Sequence, residues 1–319
     1  MNQRLTGKSP ANRDMKQKSI IWQISDGKRG HENQSRGLIE AIARIQPAEV
    51  ITLEIETCHA SWSQALLGKF PPADSLSKPD LIIGTGSRTH STILAAGRAS
   101  GASTIVIMAP PRGLAWCFSL CIIPEHDSRT GSNIVTTKGA MNLIQANEAK
   151  KSSRGLILVG GPSQHHEWDS AKLLEQIDAL LAASPGTEWT ATTSRRTPAE
   201  TSASLIKKNC EQFKLVPCED TDADWLPAQL SSAACAWVTE DSVSMIYEAL
   251  SSGAKVGLLP VPRKKQTSRV LKGVDQLKSE KAILPFDPND CDLANFSARP
   301  KLNEAERVAK IVAERLLSV

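Results

Sequence analysis

Val238-Thr239-Glu240-Asp241-Ser242-Val243-Ser244-Met245-Ile246-Tyr247-Glu248-Ala249 runs from an apolar strand, through a turn of acids and hydroxyls, into a helix. A strand that ends on small polar residues and passes straight into a helix is the unit of a parallel sheet covered by helices. Leu250-Ser251-Ser252-Gly253-Ala254 then leads into another apolar run, 255–260. Working outward, the second half predicts strands at 155–160, 189–193, 213–216, 234–239 and 255–260, with helices near 168–183, 198–210, 242–252 and 265–279. The first half has the same alternation, with strands at 19–24, 50–55, 80–84, 104–108 and 120–124 and helices near 31–45 and 88–99.

The polar stretch 145–154 separates the two series, so the chain divides near residue 150. The expected fold class is α/β, with two Rossmann-like, doubly wound parallel-sheet domains facing a cleft. The expected organisation is a basic tail at 1–18, a first domain at 19–150 and a second at 151–319. The chain's 319 residues suit two cores better than one. Near the end, Ala305, Val308, Ile311, Val312 and Leu316 fall at helical spacing, which predicts a terminal amphipathic helix. Its return to the first domain is left open by the sequence.

Charge narrows the partners. The net charge is +4, and Arg4, Lys8, Arg13, Lys16 and Lys18 against Asp14 put +4 in the tail alone, leaving a neutral body. A nucleic-acid-binding body needs clustered cations on its folded surface, so no nucleic-acid partner is expected. The tail suits peripheral contact with an anionic membrane, or is a plain flexible terminus. No apolar run approaches the ~20 residues that span a bilayer. Seven cysteines without C-x-x-C spacing read as reduced thiols, and the expected location is cytoplasmic.

In such sheets the loops leaving the strands' carboxyl ends gather on one edge, beside helix N-termini. Asp26-Gly27-Lys28-Arg29-Gly30-His31-Glu32-Asn33-Gln34 is the first of these loops, and its two glycines, cations and histidine suit an anion or a reacting hydroxyl. Gly84-Thr85-Gly86-Ser87, Pro110-Pro111-Arg112 and Pro124-Glu125-His126-Asp127 follow on the same edge. In the second domain, Gly160-Gly161-Pro162-Ser163 can turn tightly and present amides to a phosphate. Arg195 and Arg196 could clamp a diphosphate, with an ordinary capped turn as the competing reading. Asp241, Ser242 and Ser244 start a helix whose dipole favours an anion, and Glu248, further in, can accept hydrogen bonds from ribose hydroxyls. The adjacent His165 and His166 point apart, and no metal-ligand spacing accompanies them, so no metal site is expected.

Together, 26–34, 84–87, 160–162 and 239–249 resemble GT-B glycosyltransferases, and more closely the bacterial and plant ELM1-like family. That family is named for a plant member connected with mitochondrial fission and is grouped with glycosyltransferases. The resemblance covers about residues 20–290. It implies a nucleotide-sugar donor on the second domain, contacted by Gly160, Gly161, Asp241, Ser242, Ser244 and Glu248, with Arg195 or Arg196 meeting leaving-group charge in place of a metal. It implies an acceptor on the first domain, near Lys28, Gly30, Asn33, Gln34, Gly84, Gly86, Ser87, Arg112, Glu125 and His126. His31 would be the general base and Asp26 its orienter or substitute. The expected activity is sugar transfer to a cell-envelope glycan or lipid-linked acceptor, with no cofactor beyond the donor. A non-catalytic scaffold that recruits a protein partner and a sugar-nucleotide epimerase are the alternatives.

Overall fold

The computed structural model describes residues 18–146, 151–265, 268–291, 293, 296 and 302–317. The basic tail expected at 1–18 lies outside them except for Lys18, whose Nζ sits 3.3 Å from Glu49 Oε2.

The first sheet contains β1 (Ser19–Ser25), β2 (Ala48–Glu54), β3 (Leu81–Thr85), β4 (Ser103–Ile107), β5 (Leu120–Pro124) and β6 (Ile134–Thr137). They pair in the order β2-β1-β3-β4-β5-β6, all parallel. Alternation along buried strands sends Ile21, Leu81, Ile83 and Ile105 to one face and Trp22, Ile24, Ile82 and Val106 to the other. The first face is covered by α1 (Arg29–Ile45). The second is covered by α2 (Ile55–Cys58), α3 (Trp62–Leu67), α4 (His90–Ser100) and a 3-10 turn at Arg112–Cys117.

The second sheet contains β7 (Lys151–Leu158), β8 (Glu188–Thr192), β9 (Phe213–Val216), β10 (Ala233–Thr239), β11 (Lys255–Leu259) and β12 (Leu284–Pro285), ordered β12-β11-β10-β7-β8-β9 and again parallel. The helices α5 (Ser170–Ala183) and α6 (Ala199–Lys207) cover one face, and α7 (Trp225–Ser232), α8 (Val243–Ser251) and α9 (Arg269–Ser279) cover the other. The last helix, α10 (Glu304–Leu316), leaves this domain and buries Ala305, Val308, Ala309 and Val312 in the first domain's core beside α1.

Strand order fixes where ligands can bind. Connections leave β1 and β3 on opposite faces of the first sheet, and β7 and β10 on opposite faces of the second, which opens a crevice at each point. The loops after β1 and β3 and those after β7 and β10 are among those the sequence singles out.

Candidate functional site

At the first crevice the chain leaves β1, turns at Gly27 and enters α1. Asp26, whose side chain is fully enclosed, accepts the Lys28 backbone N–H at 3.2 Å and lies 3.0 Å (Oδ2) and 3.1 Å (Oδ1) from His31 Nδ1. A carboxylate only accepts, so Nδ1 donates, and in the neutral ring Nε2 keeps its lone pair. The ring rests on Gly86, where a β-carbon would stand 2.5 Å from His31 Cε1; with φ +85° besides, only glycine fits this position without strain. Ser35 Oγ and Thr85 Oγ1, 2.7 Å apart, pin α1 to the end of β3. Lys28 Nζ is 4.0 Å from Asp26 Oδ2, while Gly30 is exposed with open space around it.

At the second crevice three loops meet. Gly160 donates its N–H to Thr239 Oγ1 at 2.8 Å, and Gly161 donates to Asp241 Oδ2 at 2.9 Å. Arg196 Nη1 donates to the Gly161 and Pro162 carbonyls at 3.0 and 3.1 Å, and Nη2 to Asp241 Oδ2 at 2.9 Å and Ser242 Oγ at 3.3 Å. A β-carbon on Gly160 would strike Asp241 and Ser242, and one on Gly161 would strike the Arg196 carbonyl. The Gly161 amide, Asp241 and Arg196 thus join these loops to one another, while Arg196 also lines the cleft. Arg195, exposed and without an ion pair among the described residues, is the available cation.

A cleft of about 990 Å³ lies between the domains. The first domain lines it with Arg29, Glu32, Asn33 and Arg36 of α1, and the second with Arg195, Ser242, Ser244, Glu248 and Trp225. Desolvation pushes the Glu248 carboxyl up to about 7, opposed by the smaller pull of the Arg29 charge. Its acid form is thus held near neutrality on the cleft wall. Neither His31 nor Asp26 lines this cleft. Arg29, Glu32, Asn33 and Arg36 share one face of α1, and His31, two residues past Arg29, is turned by about 200° onto the flank beside the sheet.

Several expected cleft residues lie elsewhere. Gly84 is interior to β3, where a β-carbon would press Ile93 Cδ1 at 2.8 Å, so its smallness serves packing. Arg112 is exposed on its 3-10 turn, away from the cleft lining, and Ser87 is exposed where the chain enters α4. Glu125 and His126 sit on a turn packed against α9, in a narrow crevice with Lys138 and Tyr247; Gln276 Nε2 donates to Glu125 Oε2 at 3.4 Å. Gln34 bonds back to the Gly30 carbonyl at 3.4 Å. The sequence reading omitted Arg29, Arg36 and Trp225 as site residues. Arg29 was visible in the first loop, but Trp225 lies in a segment with no strand or helix signature of its own.

Two Rossmann-like domains with facing crevices at their sheet edges define the GT-B class of fold. Solved structures share it at low identity. A UDP-N-acetylglucosamine 2-epimerase homologue of Listeria monocytogenes aligns with TM-score 0.58 and 11% identity over 93% of this chain and 97% of its own. MurG of Acinetobacter baumannii aligns at 0.52 and 13% over 93% and 99%. The UDP-GlcNAc 2-epimerase of Neisseria meningitidis, solved bound to UDP-GlcNAc, aligns at 0.53 and 12% over 95% and 100%. The sequence profile described as Mitochondrial fission ELM1 matches residues 29–316, and the chain belongs to that family. No curated protein matches the sequence.

Proposed function

We propose that the chain transfers a sugar from a nucleotide-sugar donor to an acceptor hydroxyl, on a cell-envelope glycan or a lipid-linked carrier at the cytoplasmic face. The observation that carries this reading is the pairing of a carboxylate-oriented imidazole at one crevice with a nucleotide-sized, arginine-lined cleft beside the other. That the Neisseria epimerase was solved with UDP-GlcNAc agrees with a sugar nucleotide as ligand.

Ser242, Ser244 and the start of α8 receive the diphosphate, Glu248 accepts from the ribose hydroxyls, and Trp225 offers a flat apolar face to the base. Arg195 and Arg29 meet the charge that grows on the departing nucleotide. His31 Nε2 takes the acceptor proton as the acceptor oxygen bonds the anomeric carbon and the bond from that carbon to the diphosphate oxygen breaks. Asp26 then stabilises the imidazolium. On this reading the donor's sugar reaches from the cleft past the first turn of α1 to the first crevice, since Arg29 lines the cleft and His31 lies on the helix's other flank.

A thermal-shift screen against UDP, GDP, ADP, CMP and their sugars tests the reading, since a ligand at 100 times its dissociation constant adds ~2.7 kcal/mol. A selective shift that Arg195→Ala and Glu248→Ala both weaken is expected. Silence from every nucleotide would defeat the reading in favour of a scaffold, and donor turnover without acceptor would make the chain an epimerase.

A further inference from the structure

Burial in this molecule is uneven. Among the described residues, the large apolar side chains left most exposed are Trp116 (77%), Leu66 (74%), Leu67 (66%) and Trp62 (55%). All four lie on α3 and the 3-10 turn Arg112–Cys117, the two elements that pack with α4 on the same face of the first sheet. Among the described residues, the second domain contributes only Ile206 to the exposed large apolar set. Beneath this layer α4 is buried without a break from His90 to Gly97, so the layer already does its work for the fold with its inner side chains, Ala65, Leu114 and Ala115. The outward tryptophans and leucines add nothing to that core.

They are also held in place. A capping box between Ser61 and Gln64 starts α3, Gly68 ends it in the left-handed conformation, and Arg98 of α4 donates to the Ala65 carbonyl at 2.6 Å. The Trp116 indole N–H is fixed on the Gly113 carbonyl at 2.9 Å, leaving the rest of the ring in solvent. Cations outnumber carboxylates in the segments that build this face. From Leu81 to Pro124 the chain contains no Asp or Glu, nor does it from Thr57 to Ala73, while Lys69, Arg88, Arg98 and Arg112 fall in these stretches. Exposed Glu56 on α2 and exposed Asp74 at the end of the turn Pro71–Asp74 border these stretches, so the face is cationic on balance and bears protruding aromatic and aliphatic groups.

We propose that this face of the first domain docks on an anionic lipid bilayer, with Trp62, Leu66, Leu67 and Trp116 entering the headgroup and upper acyl region and the cations meeting lipid phosphates. Tryptophan prefers that depth because its ring is apolar and its N–H is polar, and cations near an anionic surface add long-range attraction. A protein partner would meet such a face with matching carboxylates and a shaped pocket. A bilayer requires only protruding apolar groups and a surplus of cations, which are the two features present. The tail at 1–18 carries the same sign of charge. The proposal holds whether or not the chain transfers sugar.

The test uses the full chain with phosphatidylcholine vesicles containing about one-third phosphatidylglycerol, compared with phosphatidylcholine alone. Sedimentation with the anionic vesicles is expected, and the joint change Trp62→Ser, Leu66→Ser, Leu67→Ser, Trp116→Ser should weaken it by about tenfold or more with the circular dichroism spectrum unchanged. Brominated acyl chains should quench the fluorescence of the wild type and lose most of that effect in Trp62→Phe, Trp116→Phe, a milder pair that guards against misfolding. Three outcomes overturn the proposal: no partitioning to either vesicle, partitioning abolished by deleting residues 1–17 but untouched by the fourfold change, or a self-associating chain that the fourfold change makes monomeric without altering lipid binding.

Discussion

His31 Nδ1 stands 3.0 Å from Asp26 Oδ2, and the carboxyl it meets has no exposed surface. The pair fixes the imidazole tautomer and leaves Nε2 as the accepting nitrogen. Replacing His31 by Ala should abolish sugar transfer and leave nucleotide affinity unchanged. Asp26→Asn should lower kcat by about 10²–10⁴-fold with little change in donor KM, because the wrong tautomer is then favoured. Steady-state kinetics beside calorimetric titration of nucleotide would separate the two effects, and loss of nucleotide binding in either variant would contradict the assignment.

Gly86 tests the same ring from the opposite side. A methyl group there meets His31 at 2.5 Å on a backbone with φ +85°. Gly86→Ala should therefore displace the imidazole and cost about 1–2 kcal/mol from the backbone alone. The expected record is a Tm lower by several degrees with transfer activity reduced far beyond what the unfolded fraction explains.

Glu248 couples stability to pH. Its folded-state carboxyl titrates at about 7, above the 4.5 of the unfolded chain, so the folded state holds the proton more tightly. Stability from this group is present below pH 4.5, falls as pH rises to 7 and stays low above it, a change of at most about 3 kcal/mol. Glu248→Gln should remove this decline, making the variant more stable than wild type at pH 8 in urea titrations. Nucleotide affinity should rise across the same interval if ribose hydroxyls donate to the ionised carboxylate; a flat profile would remove Glu248 from the nucleotide site.

Arg196 and Asp241 form a pair in which the acid is fully enclosed and the guanidinium is half in solvent. Arg196→Ala would leave Asp241 buried and short of a donor, for a loss of about 2 kcal/mol after allowing for the exposed side. Arg196→Ala, Asp241→Asn together should recover part of it. By contrast, Arg195→Ala should leave the unfolding midpoint in place and weaken diphosphate binding. Urea midpoints for the three variants decide between a positioning role and a ligand contact.

Much of the fold was legible because strands buried on both faces are continuous apolar runs, as at Ile82-Ile83 and Leu156-Ile157-Leu158. β6, with the sequence Ile-Val-Thr-Thr at the sheet edge, was too short and too polar to register. α3 escaped because its apolar side chains point outward, against the amphipathic pattern that marks a helix. Within the site, Asp26 and His31 were readable as neighbours in one loop. The support from Gly86 and the junction of Gly161, Arg196 and Asp241 were not, since each depends on loops brought together by strand order. Glu125 and His126 line a separate narrow crevice between the domains, against α9, a placement that depends on the second domain and is not legible in their own loop.

Helix α10 has a consequence for how the protein is made. The first domain cannot finish its core until Val308, Ala309 and Val312 arrive, and these are synthesised after the whole of the second sheet. Emerging from the ribosome, the first domain waits with one flank of apolar side chains bare while its successor folds. A truncated or stalled chain therefore exposes the damage far from the cut: loss of the last helix opens the domain that was translated first, and quality-control proteases would find their substrate there.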